Sequence, residues 1–336
     1  MKIAFFELET WEREYLERQT LPGETVFIDG PLDETKLPAV NDFDAISIFV
    51  NSTVGEKVLE HFPNLKLIAT RSTGFDHLDL AAGTARGVAV ANVPSYGEDT
   101  VAEYAFALIL TLSRKIFDSY DRIKETGSFD LTGLRGFDLK GKTLGVIGTG
   151  RIGKNVIEIA RGFNMNIVAH DKFPDATYAE KMGYRYLAFD EVLAVADIIT
   201  LHVPYSSENH HLINAESLAK MKSGVYLINT ARGGLIETAA LLAALKSGQI
   251  AGAGLDVLEE EGVIKDELNF LTNSHTVQAD LKTVLTNHLL IDLPNVVITP
   301  HNAFNTLEAL QRILNTTVDN LAAYTAGTPK NLVTGE

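Results

Sequence analysis

The stretch TLGVIGTGRIG, residues 143–153, decides the fold, because it joins a short apolar run to a glycine-rich turn and then to the helical pattern NVIEIARGF, residues 155–163. Strand, turn and helix in that order are the context in which three spaced glycines carry meaning. Gly148 permits a tight turn, Gly150 lets backbone approach a pyrophosphate, and Gly153 lets helix and strand pack closely. Thr149, Arg151 and Ile152 complete the loop, and the helix behind it turns unpaired N–H groups and a positive dipole end toward phosphate. Eighteen residues beyond Gly153, at the end of the run NIVAH, stands Asp171. This is close to the spacing at which a carboxylate accepts hydrogen bonds from the adenosine ribose hydroxyls, and a 2′-phosphate there would meet like charge. The reading favours NAD over NADP, with the neighbouring Lys172 tempering the preference.

Working outward, five further short runs follow, at residues 166–170, 198–202, 225–229, 252–256 and 296–299, interleaved with helical patterns. With 143–147 they make six strands of a doubly wound dinucleotide fold. Upstream, residues 2–6, 45–50, 65–70 and 88–92 read as strands of a first sheet, closed by a Pro-Ser-Tyr-Gly turn at 94–97. Thr100-Val-Ala-Glu103 has the form of a capping box and leads into one long apolar-rich helix, residues 102–123. Residues 127–140 are irregular, and Gly262–Asp292 reads as an excursion between the last two strands. The amphipathic segment Leu307–Ala326 is expected to pack back on the N-terminal domain. A chain of 336 residues exceeds what one core usually supports. The expected architecture is α/β: two Rossmann-like or flavodoxin-like lobes with doubly wound parallel sheets, the dinucleotide-binding domain inserted in the substrate domain. Residues 1–98 with 301–336 form the substrate domain and 99–300 the NAD-binding domain.

Composition narrows the function classes. A formal net charge of -15 without a basic run disfavours nucleic acid and anionic membrane as partners. The chain has no cysteine, so disulfides and thiolate metal sites are excluded. The start MKIAFFELETWERE turns acidic before a signal-peptide core forms, and the apolar run Ala105–Leu112 is far short of the ~20 residues that span a bilayer. The protein is expected in the cytoplasm.

A small anionic 2-oxo acid needs a fixed cation for its carboxylate, a proton donor for its carbonyl oxygen, and a group that keeps the donor protonated. Three elements follow successive late strands: Arg232, the run Glu259–Glu261, and His301. The carboxyl ends of the strands are where an open α/β sheet binds ligand. Arg232 offers a planar fork for a carboxylate; His301 suits acid and base work, and an adjacent carboxylate favours its protonated ring. Which of Glu259, Glu260 and Glu261 serves is open at this point. No metal site is expected, since the adjacent pair His210 and His211 lacks companion ligands or helical spacing in the sequence. His77 reads as structural and His202 as a wall of the cofactor site.

The blocks TRSTGFDHLDL, NVPSYGEDTVAE, KGKTLGVIGTGRIG, LHVPYSSENHHLIN, NTARGGLIET, AGAGLDVLEEEG and VVITPHNAF run through nearly the whole chain. In number and order they resemble the NAD-dependent D-2-hydroxyacid dehydrogenases, and most of all their D-lactate dehydrogenase branch. The resemblance implies Arg232, Glu261 and His301 as the catalytic set, with backbone N–H groups near Thr73 and Gly74 holding the substrate carboxylate. It implies cofactor contacts at Arg151, Ile152, Asp171, His202, Val203 and Pro204, and at Thr230, Ala231 and Asp256 near the nicotinamide. Tyr96 and Phe304 match positions that approach substrate. The implied reaction is NADH-dependent reduction of pyruvate or a near relative to the D-hydroxy acid, by a homodimer formed through the helix after Thr100 and the 127–140 arm. Phenylpyruvate, hydroxypyruvate or glyoxylate are the alternative substrates, and an NADH-sensing corepressor is a reading from another class that the lack of disordered tails disfavours. The excursion between Glu261 and His301 is long, as in the D-lactate branch. The sequence departs from that branch at Asn51–Val54, where an aromatic residue often shapes the substrate pocket.

Overall fold

The computed structural model describes residues 1–261 and 281–333. The chain divides into two compact units, Met1–Tyr96 with Asn305–Glu336, and Gly97–Phe304. His301 therefore lies in the same unit as Arg232 and Glu261.

The first unit contains β1 (Lys2–Phe6), β2 (Glu24–Ile28), β3 (Ala45–Ile48), β4 (Leu67–Thr70) and β5 (Ala89–Ala91), and the second contains β6 (Thr143–Ile147), β7 (Asn166–His170), β8 (Arg185–Tyr186), β9 (Ile198–Leu201), β10 (Val225–Asn229), β11 (Ile250–Leu255) and β12 (Val296–Ile298); β13 (Leu332–Val333) returns to the first. The first sheet runs β13-β5-β4-β3-β1-β2, parallel except for β13. Its parallel part is the flavodoxin-like order, with the switch point between β1 and β3. The second sheet runs β12-β11-β10-β9-β6-β7-β8, all parallel, and its switch point lies between β6 and β9. The sequence shows six of these seven strands; β8, two residues long, leaves no periodic signal. The sequence reading also passes over β2 and β13, edge strands with exposed or half-buried residues and no continuous apolar run.

Both faces of each sheet are covered, as parallel sheets require. Along β1, Ala4 and Phe6 join one core with Phe43, Ile46 and Ile68. Ile3 and Phe5 face the other way, toward Leu314, Val318 and Leu321 of the C-terminal helix Leu307–Thr325. The period of two along the strand thus makes two cores from one sheet. In the second unit Leu144 and Val146 pack with Ala105, Phe106 and Ile109 on one face, while Ile147, Leu201, Leu227 and Leu255 belong to the cluster on the other.

The helix expected over 102–123 is two helices, Glu98–Arg114 and Ile116–Thr126, broken at Lys115, whose φ of 53° is left-handed. It starts earlier than the Thr100 capping box implies. Gly97 is the N-cap, Thr100 lies buried inside the first turn, and Glu98 and Asp99 place negative charge at the positive dipole end. Of the expected excursion Gly262–Asp292, residues 262–280 lie outside the described residues and Leu281–Ile291 is a helix. Among the described residues no helix is long and apolar enough to cross a membrane.

Leu314 is fully buried against Ile3 and Phe5. Leu314→Ala is expected to cost about 2–5 kcal/mol, lost transfer energy plus a residual cavity. The urea midpoint measures it, and a loss below about 1 kcal/mol would contradict the packing described.

Candidate active site

The glycine loop sits at the switch point of the second sheet. Gly148 has φ 93°, and a Cβ there would lie 2.6 Å from the His202 carbonyl oxygen at the end of β9. A Cβ at Gly153 would overlap the Gly148 carbonyl, so helix and strand approach only because neither position carries a side chain. Gly150 caps the helix Arg151–Gly162, and a Cβ there would meet nothing within 4 Å. That open side is where an anion reaches the helix N-terminus. Arg151 pairs with Glu98 at 3.0 Å, Ile152 is half-buried, and of the residues after β9 Val203 is half-buried and Pro204 exposed.

Asp171, at the end of β7, accepts from Thr149 N at 2.6 Å and Thr149 Oγ1 at 2.9 Å through one oxygen, and from Phe173 N at 2.8 Å through the other. Burial pulls its pKa upward, but these hydrogen bonds from Phe173 and Thr149 outweigh it and hold the carboxyl below the usual range. The ionised group is thus fixed beside the glycine loop. Thr230, just past β10, has a buried hydroxyl with no hydrogen-bond partner among the described residues. An orphaned hydroxyl at this edge, an uncluttered helix N-terminus and a fixed carboxylate fit a dinucleotide. His202 Nε2 lies 2.8 Å from Thr200 Oγ1, and desolvation pushes its pKa down to about 3, which keeps the ring neutral and unsuited to donating a proton near pH 7.

At the next strand ends, buried polar side chains set the loops. Asn229 ends β10 fully buried, accepting from Ala231 N at 3.0 Å and donating to Arg232 O at 2.9 Å. Its amide supplies hydrogen bonds that a regular turn would otherwise make. Arg232 is half-buried, with Nη1 donating to Ala231 O at 2.7 Å. A Cβ on Gly233 would overlap the Leu258 carbonyl, so the turn after Arg232 lies directly on the backbone leading to Glu261.

Asp256 follows β11 and is only 1% exposed. Oδ1 accepts from Thr299 Oγ1 and from Asn302 N at 2.8 Å, and Oδ2 from Ala303 N at 2.8 Å. Its own carbonyl accepts from His301 N at 2.8 Å. Burial raises its pKa despite these donors and the nearby His301. The residue expected as a nicotinamide contact is therefore built into the His301 turn. His301 itself is left-handed, with φ 53°.

His301 Nδ1 lies 2.7 Å from Glu261 Oε1, both side chains being about one-third exposed. This leaves Nε2 as the second ring nitrogen. The three glutamates that the sequence cannot rank are thereby separated. Glu260 is exposed; Glu259 accepts from Thr238 N at 2.8 Å and meets His211 Nε2 at 2.6 Å; Glu261 alone of the three meets His301. Arg232 and His301 share one sheet edge: Asn229 pairs with Leu255 and Leu255 with Ile298, and Asn229 and Ile298 each stand three residues before their candidate. Two strand spacings, about 10 Å, separate those paths.

In the first unit, Thr73 and Gly74 follow β4. Thr73 Oγ1 donates to Val93 O at 2.7 Å, Asn92 Nδ2 donates to Thr73 O at 2.8 Å, and Ser72 Oγ donates to Gly74 O at 2.6 Å. Such a fixed turn can present backbone N–H groups to an anion. Tyr96 closes this part of the unit, its carbonyl accepting from Arg312 Nε at 2.7 Å, while Phe304 ends the second unit. Sequence reading missed Arg71, which is 1% exposed and donates from Nη2 to Phe6 O at 2.8 Å and from Nη1 to Ser47 Oγ at 3.2 Å. It also missed Asn229, and Glu7, which accepts from Asn51 N at 3.0 Å and Ser52 Oγ at 2.8 Å. An arginine and a glutamate at the ends of apolar runs were the available signals.

The chain matches the D-isomer specific 2-hydroxyacid dehydrogenase NAD-binding domain over residues 106–303. A 2-hydroxyacid dehydrogenase homolog of Haemophilus influenzae is 39% identical over 331 residues, 97% of each chain. An aromatic 2-oxoacid reductase of Clostridium sporogenes is 43% identical over 295 residues, 86% of this chain and 85% of that one. The structure of D-lactate dehydrogenase from Aquifex aeolicus complexed with NAD and lactic acid superposes with a TM-score of 0.83 at 36% identity, covering 99% of both chains.

The hydrogen bonds to Asp171 carry a pH signature. A folded-state pKa held below the unfolded value of about 3.9 stabilises the fold above that value, and the contribution is lost as pH falls through the folded pKa. Urea melts of the protein and of Asp171→Asn should show a stability gap at pH 7 that narrows below about pH 5 and closes in strong acid. A gap independent of pH would show that the carboxylate charge is not what Thr149 and Phe173 hold.

Proposed function

The chain belongs to the D-isomer specific 2-hydroxyacid dehydrogenases, NAD-dependent enzymes, and on that premise we propose that it reduces pyruvate or a near relative reversibly to the D-2-hydroxy acid. The 2.7 Å pairing of His301 with Glu261, on a turn braced by Asp256, carries the proposal. NADH supplies the hydride when bound. The work of the chain is then to hold an anion, place its carbonyl and move one proton.

Arg232 holds the substrate carboxylate by two parallel charge-assisted bonds, which fix direction as well as position. His301 Nε2 hands a proton to the carbonyl oxygen as negative charge develops there, and takes one from the hydroxyl in the reverse direction. Glu261 orients the ring through its 2.7 Å contact with Nδ1. In the first unit, we assign Thr73, Gly74 and Tyr96 to substrate contact, and in the second Phe304. Gly148, Thr149, Gly150, Arg151, Ile152 and Gly153 are assigned to the pyrophosphate, Asp171 to the ribose, His202, Val203 and Pro204 to the adenine side, and Thr230, Ala231 and Asp256 to the nicotinamide end.

A second reading, reduction of an aromatic 2-oxo acid, draws support from the 43% identity to the Clostridium sporogenes reductase. It also draws support from Asn51–Val54, where the aromatic residue of the lactate branch is replaced. Ser52 and Val54 are buried and Asn51 is tied to Glu7, so this segment offers no bulky side chain to a pocket. NADH oxidation with pyruvate against phenylpyruvate separates the readings: a higher kcat/KM on phenylpyruvate would replace the first by the second.

We further assign the protein to the cytoplasm as a homodimer. Ile116, Phe117, Tyr120 and Ile123 are about half exposed along one helix, and Phe129 and Leu131 of the following arm are 82% and 78% exposed. So much apolar surface in one stretch suits an interface with a second copy. Sedimentation of Tyr120→Asp should show a shift toward monomer, and an unchanged distribution would place the interface elsewhere.

His301→Ala is expected to lower kcat for 2-oxo acid reduction by about 10²-fold or more with NADH affinity retained. Unchanged turnover would remove His301 from proton transfer. Arg232→Lys keeps the charge but loses the fork, so substrate KM should rise steeply; near-normal kinetics would contradict bidentate binding.

A further inference from the structure

We propose that His210, His211 and Glu259 form a binding site for an exchangeable divalent transition cation of the Zn²⁺ class, separate from the Glu261–His301 pair. Consecutive residues in extended chain point to opposite sides. Here His211 is left-handed, with φ 54°, and the two imidazoles turn to the same side, stacked with centroids 3.7 Å apart and 26° between planes. Glu259 reaches them from the turn after β11, its Oε1 2.6 Å from His211 Nε2. One ligand atom from each of the three lies within 4.8 Å of the others. This is the companion carboxylate that the sequence does not reveal, since 48 residues separate it from His211.

A tetrahedral cation with bonds of about 2.0–2.2 Å needs donors roughly 3.3–3.6 Å apart. Among the described residues the exposed His210 ring is held by Tyr205 Oη at 3.1 Å and by the stacking, so it can turn to bring its nitrogen to that spacing, while the 2.6 Å between His211 Nε2 and Glu259 Oε1 opens by roughly 0.7–1 Å as the cation replaces the shared proton. Two imidazoles and one carboxylate suit a borderline cation that keeps an open position, whereas Mg²⁺ and Ca²⁺ favour all-oxygen shells. The carboxylate is already oriented from behind. Glu259 Oε2 accepts from Thr238 N at 2.8 Å, and Glu259 O accepts from Asn287 Nδ2 at 2.7 Å. Such outer bonds hold a ligand in place before the cation arrives. His211 N donates to Gly234 O at 2.9 Å, so the site shares a wall with the turn that follows Arg232.

The test is a Co²⁺ titration of the full-length protein near neutral pH, read by visible d–d absorption, with Zn²⁺ competing for the same signal. One equivalent should bind, and His210→Ala should weaken it by at least about tenfold, the lower end of what loss of even an outer-shell partner costs. Glu259→Gln should do the same, whereas His301→Ala should leave the titration unchanged. If Glu259→Gln does not fold, His210→Ala decides alone, because its ring is exposed and circular dichroism checks the fold. The proposal is overturned if His210→Ala binds Co²⁺ as tightly as the unaltered protein, if His301→Ala abolishes the signal, or if no absorption develops by millimolar Co²⁺.

Discussion

One buried carboxylate holds the His301 turn in place. Asp256 takes hydrogen bonds from Thr299, Asn302 and Ala303, and its backbone carbonyl takes one from His301. Burying an acid this completely is costly, as its raised pKa reflects, and only a full set of donors offsets the loss of water. The left-handed His301 follows from that closed turn, and the side chain it presents meets Glu261. Removing the carboxylate would leave donors unpaired and the imidazole unplaced.

The same device recurs along the sheet edge. Asn229 shapes the exit toward Arg232 with a side-chain amide, and Asp171 fastens the glycine loop through Thr149. In the first unit the sign is reversed, with the buried Arg71 donating to Phe6 O at the end of β1. Desolvation lowers its pKa to about 10 against the raising effect of Glu12 and Glu7, so it stays charged at neutral pH. Past the strand ends the backbone loses its ladder partners, and a polar side chain beside each end replaces one, the carboxylates of Asp256 and Asp171 accepting from N–H groups and Arg71 and Asn229 donating to carbonyls, which makes a rigid loop. Rigid loops at these ends are what a proton donor and a carboxylate clamp both require.

Much of this was legible in the chain. Apolar runs bounded by turns located the long strands of both sheets, because a strand buried on both faces has no polar alternation to hide it. The glycine loop was readable because its reason is local: Gly148 and Gly153 have no room for a Cβ. The break at Lys115 was not, since nothing in the run through Arg114 and Ile116 opposes a continuous helix. Nor was the early start at Gly97, where two acids in the first turn replace the apparent cap at Thr100. The edge strands β2 and β8 were silent because half-buried, very short segments need little hydrophobic pattern.

What the sequence determined alone was therefore the alternation of strands and helices, the dinucleotide loop, and the presence of an arginine, acids and a histidine after late strands. Which acid meets which histidine was decided only by tertiary structure. Glu259 and Glu261 are two residues apart, yet one turns to His211 and Thr238 and the other to His301. The direction of a side chain on a turn depends on backbone angles such as the left-handed φ of Glu260, and on partners brought in from 20 to 50 residues away. Neither is written in the local sequence, because both follow from how the strands pair and the loops pack.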